Sequence, residues 1–254
     1  MTDRLFALRG GTGERLLVLL HGMGANAEVW QPMLASVERH WNGRWIAPDL
    51  RGHGRSIKNG PFDLRTVARG VANLVADEEA SDIVAVGHSF GGVIAALLGS
   101  KEFNLPVTRV AAFSVKLDWS DEDVARMHGF AARPAQDFTT YEEAAVRALA
   151  FAGLKGLAEI DSPVARAGVE PHGERFRAAF NTQVFGGTGK DVAESMRLCG
   201  ASLRLASGEN DEMAPIDPMR AIDPDAATLP GLGHNAHWEN PEAVWRFVLA
   251  VGEG

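Results

Sequence analysis

One segment, residues 82–98, constrains the fold of this chain more than any other, and it reads DIVAVGHSFGGVIAALL. Its first part is a short apolar run with the length and composition of a β-strand. Its last part is an apolar, alanine-rich run of helical character. A glycine-rich stretch joins the two, so the segment predicts a strand that turns sharply into a helix.

Ser89 stands at the centre of this predicted turn. So sharp a turn pushes the serine hydroxyl clear of the sheet, and it closes only if the residues two positions away are small, as Gly87 and Gly91 are. The helix N-terminus would place unpaired N–H groups and a partial positive charge beside Ser89, which suits a forming oxyanion. Because this glycine pattern also occurs by chance in other α/β proteins, its meaning depends on partner residues downstream.

Strand and helix patterns alternate over the first half of the chain. Strands are predicted at residues 15–20, 45–49, 82–88 and 108–115, and helices at residues 27–40 and 64–77 and after Ser89. The run at 15–20 is apolar without alternation, as expected of a strand covered on both faces. The sequence therefore predicts an α/β fold with a mostly parallel sheet flanked by helices, and ligands at the carboxyl ends of its strands.

The alternation stops after residue 116. From about residue 117 to residue 198 the patterns are helical, with helix N-caps at Ser120 and Thr140. An all-helical insert in an α/β chain cannot join the sheet, so we expect it to lie across one edge as a cap.

Strand patterns return at residues 202–206 and 226–229, and an N-cap followed by proline, Asn240-Pro241, opens a last helix. The predicted organisation is a core formed by residues 1–116 and 199–254 and a helical cap, or lid, formed by residues 117–198.

Two residues beyond the insert are candidate partners of Ser89, because a serine hydroxyl needs a base to remove its proton and the base needs a third group to orient it. Asp211 follows one predicted strand and His234 follows the next. The order Ser, Asp, His, with each residue at a strand end, is the chain order of catalytic triads whose serine lies on a strand-to-helix turn of an α/β sheet. In this hypothesis His234 removes the Ser89 proton and later protonates the leaving group, while Asp211 orients the imidazole.

The oxyanion of the tetrahedral intermediate needs hydrogen-bond donors, and two main-chain N–H groups are predicted for that role. One belongs to Phe90, directly after the nucleophile. The other belongs to Met23, in a His-Gly-Met-Gly stretch that follows a neighbouring strand and whose glycines let the backbone approach a substrate.

Together these motifs resemble the α/β-hydrolase superfamily in its serine-nucleophile branch. The motifs are His21-Gly22, residues 49–56, residues 87–92, Gly208-x-x-Asp211 and Gly233-His234. The resemblance implies an eight-stranded sheet whose second strand is antiparallel, but fewer than fifteen residues precede the strand at 15–20, so we expect the first hairpin to be truncated. Related dehalogenases and epoxide hydrolases carry Asp at the position of Ser89, which argues against those activities.

Five side chains are candidates for substrate binding: His21, His88, Trp119, Phe130 and Phe138. A loop histidine more commonly supports its loop by hydrogen bonding, as we expect also of His53. The cap aromatics, which further include Tyr141, Phe151, Phe180 and Phe185, could line an apolar acyl pocket or form the core of the cap itself. Asp118 is a rival acid and His237 a rival base, both less favoured than Asp211 and His234.

Composition excludes several function classes. The net charge is −8 with no cluster of Lys and Arg, so we expect no binding to nucleic acid or to a membrane. The single cysteine, Cys199, cannot form an internal disulfide, and residues 1–9 lack the apolar core of a signal peptide, so we expect a cytoplasmic protein. No metal or cofactor is implied, and the oligomeric state is left open.

The sequence therefore predicts a serine hydrolase that cleaves a small to medium, largely apolar carboxylic ester or lactone through an acyl-Ser89 intermediate. The same residues also serve carbon–carbon cleavage of diketones, thioester hydrolysis and peroxyacid formation. A remote alternative is a dinucleotide-binding protein, because residues 22–27 open a helix after a strand and Asp49 ends the next strand. A binding protein of this fold without turnover is a further alternative.

Overall fold

The computed structural model describes residues 4–250, so the first three of residues 1–9, for which no signal-peptide core is predicted, lie outside that range. The strands are β1 (Ala7–Gly11), β2 (Arg15–Leu20), β3 (Arg44–Pro48), β4 (Asp82–His88), β5 (Val107–Phe113), β6 (Asp137–Phe138), β7 (Val169–His172), β8 (Arg175–Ala178), β9 (Ser202–Gly208) and β10 (Ala227–Leu229). The α-helices are α1 (Gln31–His40), α2 (Leu64–Ala76), α3 (Phe90–Leu98), α4 (Asp121–Ala131), α5 (Tyr141–Phe151), α6 (Pro163–Ala167), α7 (Val192–Arg197), α8 (Ile216–Arg220), α9 (Ala236–Glu239) and α10 (Pro241–Ala250). Short 3-10 helices cover Ala27–Trp30 and Thr182–Gly187.

Seven strands form the central sheet in the order β1-β3-β2-β4-β5-β9-β10, and only the β1–β3 pair is antiparallel. The resemblance implied eight strands. Within residues 4–250 the sheet has seven, because one short strand, β1, stands where a hairpin was implied. This edge strand pairs antiparallel with β3.

The middle of the sheet is covered on both faces. In β4 every residue from Ile83 to His88 is buried, and β2 is buried from Leu16 to Leu20. Continuous apolar sequences are therefore needed there, because neither face meets water. Since β2, β4 and β5 are parallel, with Leu20 opposite Gly87 and His88 opposite Phe113, the loops after these strands meet at one edge.

Helix α3 packs directly on the sheet, and all of its residues are buried. Gly92 permits this close approach, because a Cβ at that position would lie 2.6 Å from Val115 Cγ2 and 3.1 Å from Ala112 Cβ. The last helix, α10, begins at Pro241 as predicted, with the Asn240 side chain accepting the Ala243 N–H at 3.0 Å. No helix in the described part of the chain is long and apolar enough to cross a membrane.

Between β5 and β9 the chain leaves the sheet, and we refer to residues 117–198 as the insertion. The predicted N-caps form as reciprocal capping boxes, Ser120 with Asp123 and Thr140 with Glu143. The prediction of an all-helical insertion is wrong in one respect, because β6, β8 and β7 form a small antiparallel sheet in that order. These strands are two to four residues long, which is too short to show a period of two in the sequence.

Candidate active site

Ser89 lies in a strained turn between β4 and α3. Its φ and ψ are +50° and −117°, which a residue with a side chain rarely adopts. A Cβ on Gly87 would lie 2.3 Å from the Gly91 carbonyl oxygen, and a Cβ on Gly91 would lie 2.1 Å from that of Leu20. The turn therefore requires glycine on both sides of the serine. The Ser89 N–H donates to the Phe113 carbonyl at 2.9 Å, and the residue is partly exposed.

Asp211 and His234 meet in the loops that follow β9 and β10. His234 Nδ1 lies 2.9 Å from Asp211 Oδ2 and 3.1 Å from Oδ1. The Asp211 side chain is completely buried, whereas that of His234 is 21% exposed. The main chain also binds the carboxylate, since the N–H groups of Met213 and Ala214 each donate to Oδ1 at 3.1 Å.

Burial by itself would raise the pKa of Asp211, but the hydrogen bond and charge of His234 and the Ala214 N–H outweigh it, and the pKa lies below its usual value. The acid is therefore ionised at neutral pH. An ionised carboxylate at Nδ1 favours the imidazole tautomer with its proton on that nitrogen, which leaves Nε2 free to act as a base.

His88 lies between the loop of His234 and the turn of Ser89. Its Nε2–H donates to the His234 carbonyl oxygen at 2.8 Å, and the two rings lie 4.9 Å apart, edge to face. On its other side, a Cβ on Gly22 would lie 2.7 Å from His88 Nδ1 and 3.5 Å from Ser89 Cβ. Burial, with His237 and His234 close by, lowers the pKa of His88 well below its ordinary value. The ring is therefore a neutral support beneath the site.

The predicted oxyanion loop is a tight turn. The Ala25 N–H donates to the Gly22 carbonyl at 3.2 Å, and Gly24 has a φ of +78°, a left-handed conformation that favours glycine. Within residues 4–250 the Met23 N–H donates no hydrogen bond. Phe90 is the first residue of α3, where the N–H has no acceptor within the helix. The two predicted donors thus lie on segments that flank Ser89.

Two buried histidines hold this turn in place. His21 Nε2 accepts the Leu50 N–H at 2.9 Å, and His53 Nε2 accepts the Gly24 N–H at 3.0 Å. Burial is the main cause that lowers the pKa of both imidazoles, so each is neutral and able to accept. The sequence placed His21 and His88 among substrate-binding residues. In the structure both side chains are at most 3% exposed and hydrogen-bond to the protein backbone, which favours a supporting role.

A model of the alpha/beta hydrolase family matches residues 17–247. The chain belongs to the alpha/beta hydrolase family. The predicted family and fold class, a mostly parallel sheet flanked by helices with an insertion, are thereby confirmed.

Among curated relatives, the pimeloyl-[acyl-carrier protein] methyl ester esterase of Pectobacterium atrosepticum is 34% identical over 133 residues, which cover 50% of this chain and 50% of the relative. The magnesium-chelatase 30 kDa subunit of Rhodobacter capsulatus is 34% identical over 105 residues, or 41% of this chain and 35% of the relative. The chain thus spans about half or less of the length of these relatives.

Solved structures of the family share the whole fold. E-2-(acetamidomethylene)succinate hydrolase superposes with a TM-score of 0.80 at 19% identity, covering 98% of this chain and 95% of that one. A thioesterase domain from the curacin biosynthetic pathway superposes with a TM-score of 0.78 at 17% identity, covering 96% and 94%. At these identities the likeness concerns the fold alone.

Asp118 and His237, the rival acid and the rival base in this alpha/beta hydrolase, differ from Asp211 and His234 in burial and in hydrogen bonding. Asp118 is exposed to solvent, whereas the buried Asp211 binds His234. His237 is completely buried, and neither ring nitrogen has a hydrogen-bond partner within residues 4–250. Burial and the nearby His234 lower the pKa of His237 to about 3.

In the dinucleotide-binding alternative the Asp49 carboxylate would bind the ribose of the ligand. In the structure this side chain is fully buried and hydrogen-bonds to other parts of the protein. Its carboxylate accepts the N–H groups of Ala27 at 2.6 Å and Arg55 at 2.8 Å, and it also binds the Arg55 side chain. The residue therefore braces two loops and has no oxygen turned to a ribose, which removes the main support for that alternative.

The aromatic residues of the insertion divide into two groups. Phe130 joins a cluster with Phe151, Phe180 and Phe185, whose neighbouring ring centroids lie 5.2–6.1 Å apart. The other two predicted substrate contacts lie outside this cluster. Trp119 is half-buried with its Nε1–H on the Lys116 carbonyl at 2.8 Å, and Phe138 is on β6. The sequence identified all of these aromatic residues as candidates for a pocket or a core, but only the structure shows which of them pack together.

Proposed function

We propose that this protein is a serine hydrolase that cleaves carboxylic esters through an acyl-Ser89 intermediate. The observation that carries the proposal is the 2.9 Å contact between His234 Nδ1 and the buried Asp211 carboxylate, at the same sheet edge as a serine in a positive-φ turn. In serine hydrolases such a constellation orients a base toward a nucleophile.

In the proposed reaction, Ser89 Oγ attacks the ester carbonyl carbon while His234 Nε2 takes its proton. The carbonyl oxygen becomes an oxyanion, which accepts the N–H groups of Met23 and Phe90. The tetrahedral intermediate then expels the alcohol, which receives the proton from His234. Water, deprotonated by the same nitrogen, attacks the acyl-serine, and collapse of the second intermediate releases the carboxylic acid and restores Ser89.

We propose a small to medium, largely apolar ester or lactone as substrate, held under the insertion. The methyl ester esterase of Pectobacterium atrosepticum supports ester chemistry, because it is 34% identical to this chain over 133 residues. Carbon–carbon cleavage, thioester hydrolysis and peroxyacid formation use the same residues and stay alternatives. Because the fold neighbours include a thioesterase domain, thioesters belong in any first substrate panel.

The proposal is tested by intact mass after treatment with a fluorophosphonate, on the wild type, on Ser89→Ala and on Ser100→Ala. Ser100 lies just beyond the far end of α3 and serves as the matched control. We expect one adduct on the wild type and on Ser100→Ala and none on Ser89→Ala, with turnover of nitrophenyl esters falling about 10³-fold or more in Ser89→Ala only. A wild type that is neither labelled nor active on esters, thioesters or a diketone would indicate a binding protein instead.

A further inference from the structure

A cavity of about 210 Å³ lies within the insertion and beside the candidate site. Its lining combines aromatic rings with guanidinium groups. Its lining includes the rings of Phe130, Phe151 and Phe180 and the side chains of Arg133, Arg147 and Arg177. The lining therefore contains three cations and no carboxylate.

The aromatic wall packs directly on the oxyanion turn. A Cβ on Gly24 would lie only 2.4 Å from the Phe151 carbonyl oxygen, so these backbones are in contact. The Phe180 ring lies 4.8 Å from that of His53, the same histidine that accepts the Gly24 N–H. A substrate whose carbonyl sits at Met23 and Phe90 would thus have this cavity as a neighbouring subsite.

Two of the three guanidinium groups are held by aromatic rings rather than by acids. The Arg133 guanidinium carbon lies 4.6 Å from the ring centre of Phe130, and that of Arg147 lies 4.5 Å from the ring centre of Phe151. Within residues 4–250 neither forms an ion pair, whereas Arg177 pairs with Asp137 at 2.9 Å. These two guanidinium groups therefore lie against apolar rings, and no acid within residues 4–250 balances their charge.

This lining matches one ligand chemistry. Planar guanidinium groups bind carboxylates through paired hydrogen bonds, and their stacking on rings limits the side-chain freedom that binding would remove. An aliphatic chain fits against Phe151 and Phe180. The cavity thus suits a chain that is apolar along its length and anionic at its end.

We propose that the cavity binds a free carboxylate at the far end of the acyl chain, through Arg147 and Arg133, and that the preferred substrates are half-esters of dicarboxylic acids. The proposal rests on the ester hydrolysis proposed above. Hydrolysis of such a half-ester consumes one water and yields the dicarboxylate and the alcohol, so no further reactant is needed.

The test compares monomethyl esters of linear C4 to C10 dicarboxylic acids with methyl esters of monocarboxylic acids of the same chain lengths. We expect the wild type to favour the half-ester at its best chain length, and Arg147→Gln and Arg133→Gln to lower the half-ester to neutral-ester ratio of kcat/KM about tenfold each, mainly through KM. Arg147→Lys, which keeps the charge, recovers part of the ratio. Arg175→Gln, an exposed arginine on β8 outside the cavity, leaves the ratio unchanged.

The outcomes separate the two proposals. If neutral esters are hydrolysed as well as half-esters, or if the arginine variants lower both equally, the carboxylate subsite is wrong and the serine hydrolase stands. If no ester is turned over and Ser89 is not labelled, both are wrong. Thermal unfolding of each variant identifies any loss that comes from misfolding, and the ratio of two substrates on one preparation is independent of the folded fraction.

Discussion

Replacing His237 with leucine should make this protein resist acid. The imidazole is completely buried among Trp30, Phe113 and His88, with ring centroids 5.0, 5.4 and 4.5 Å away, and its nitrogens have no partner in the described chain. A charged imidazole there would be desolvated without compensation, which is why its pKa falls to about 3. Leucine has a similar volume and cannot take up a proton.

The magnitude follows from proton linkage. The unfolded chain binds a proton at His237 near the ordinary value of 6.5, whereas the folded chain does so only near 3. Lowering the pH from about 7.5 to about 5.0 therefore stabilises the unfolded wild type by about 2 kcal/mol through this residue alone. The stability is present above the unfolded pKa and is lost as the pH falls below it. His53 adds equally to the acid sensitivity of both proteins, so its contribution cancels in the difference. His88 does not cancel fully, because His237 is one of the causes that lower its pKa; removing His237 therefore shifts the difference further in favour of the variant.

The assay is urea unfolding of wild type and His237→Leu at several pH values between these limits. At each pH the quantity of interest is the free energy of unfolding of the variant minus that of the wild type. Between pH 7.5 and pH 5.0 we expect this difference to rise by about 2 kcal/mol, in favour of the variant. His128→Gln is the control, because that ring on α4 is exposed to solvent, and its difference from wild type should stay constant. A pH-independent difference for His237→Leu would show that the buried ring is not held neutral, and the reasoning would fail.

Two further predictions concern the supports of the site. The substitution His88→Phe keeps an aromatic ring in place but removes the hydrogen-bond donor to the His234 carbonyl oxygen. We expect kcat on a nitrophenyl ester to fall about tenfold with little change in KM. An unchanged kcat would contradict the positioning role of His88. Gly24→Ala and Gly156→Ala both place a Cβ at positive φ, +78° and +83°, but only the first meets a backbone atom, Phe151 O at 2.4 Å. We expect Gly156→Ala to cost about 1–2 kcal/mol of unfolding free energy and Gly24→Ala clearly more, measured by urea unfolding, and equal costs would refute the close contact.

The central fold was predictable because its constraints are local in sequence. Strands covered on both faces need continuous apolar runs, and the turn at Ser89 can be made only with glycine two residues away on each side. The contact between Asp211 and His234 was predictable from their order and their positions after strands, since parallel strands bring their following loops to one edge. These features need no knowledge of which residues touch across the chain.

The insertion was less predictable because its structure depends on partners distant in sequence. Phe138 pairs opposite Phe176 across a two-residue strand, and neither segment has an alternating pattern of its own. The aromatic cluster likewise joins Phe130 to Phe180, fifty positions apart, through Phe185. Helix N-caps, in contrast, are set by residues three positions apart, so both capping boxes were visible in the sequence.

Four histidines lie near the candidate site besides the proposed base, and hydrogen-bond partners distinguish their roles where the sequence could not. His21, His53 and His88 bind main-chain groups, and His237 binds none within residues 4–250. His234 alone among the five combines a hydrogen bond to a carboxylate with a partly exposed ring. A histidine bound only to carbonyl and N–H groups in a dry interior stays neutral and is rigid, which suits a support. A histidine with a buried anion on one nitrogen and access to solvent on the other can take up and release a proton during a reaction, because the anion compensates the imidazolium when it forms. The supports and the proposed base therefore have the same side chain in different surroundings, and the position of a single carboxylate, Asp211, distinguishes the proposed base from the supports.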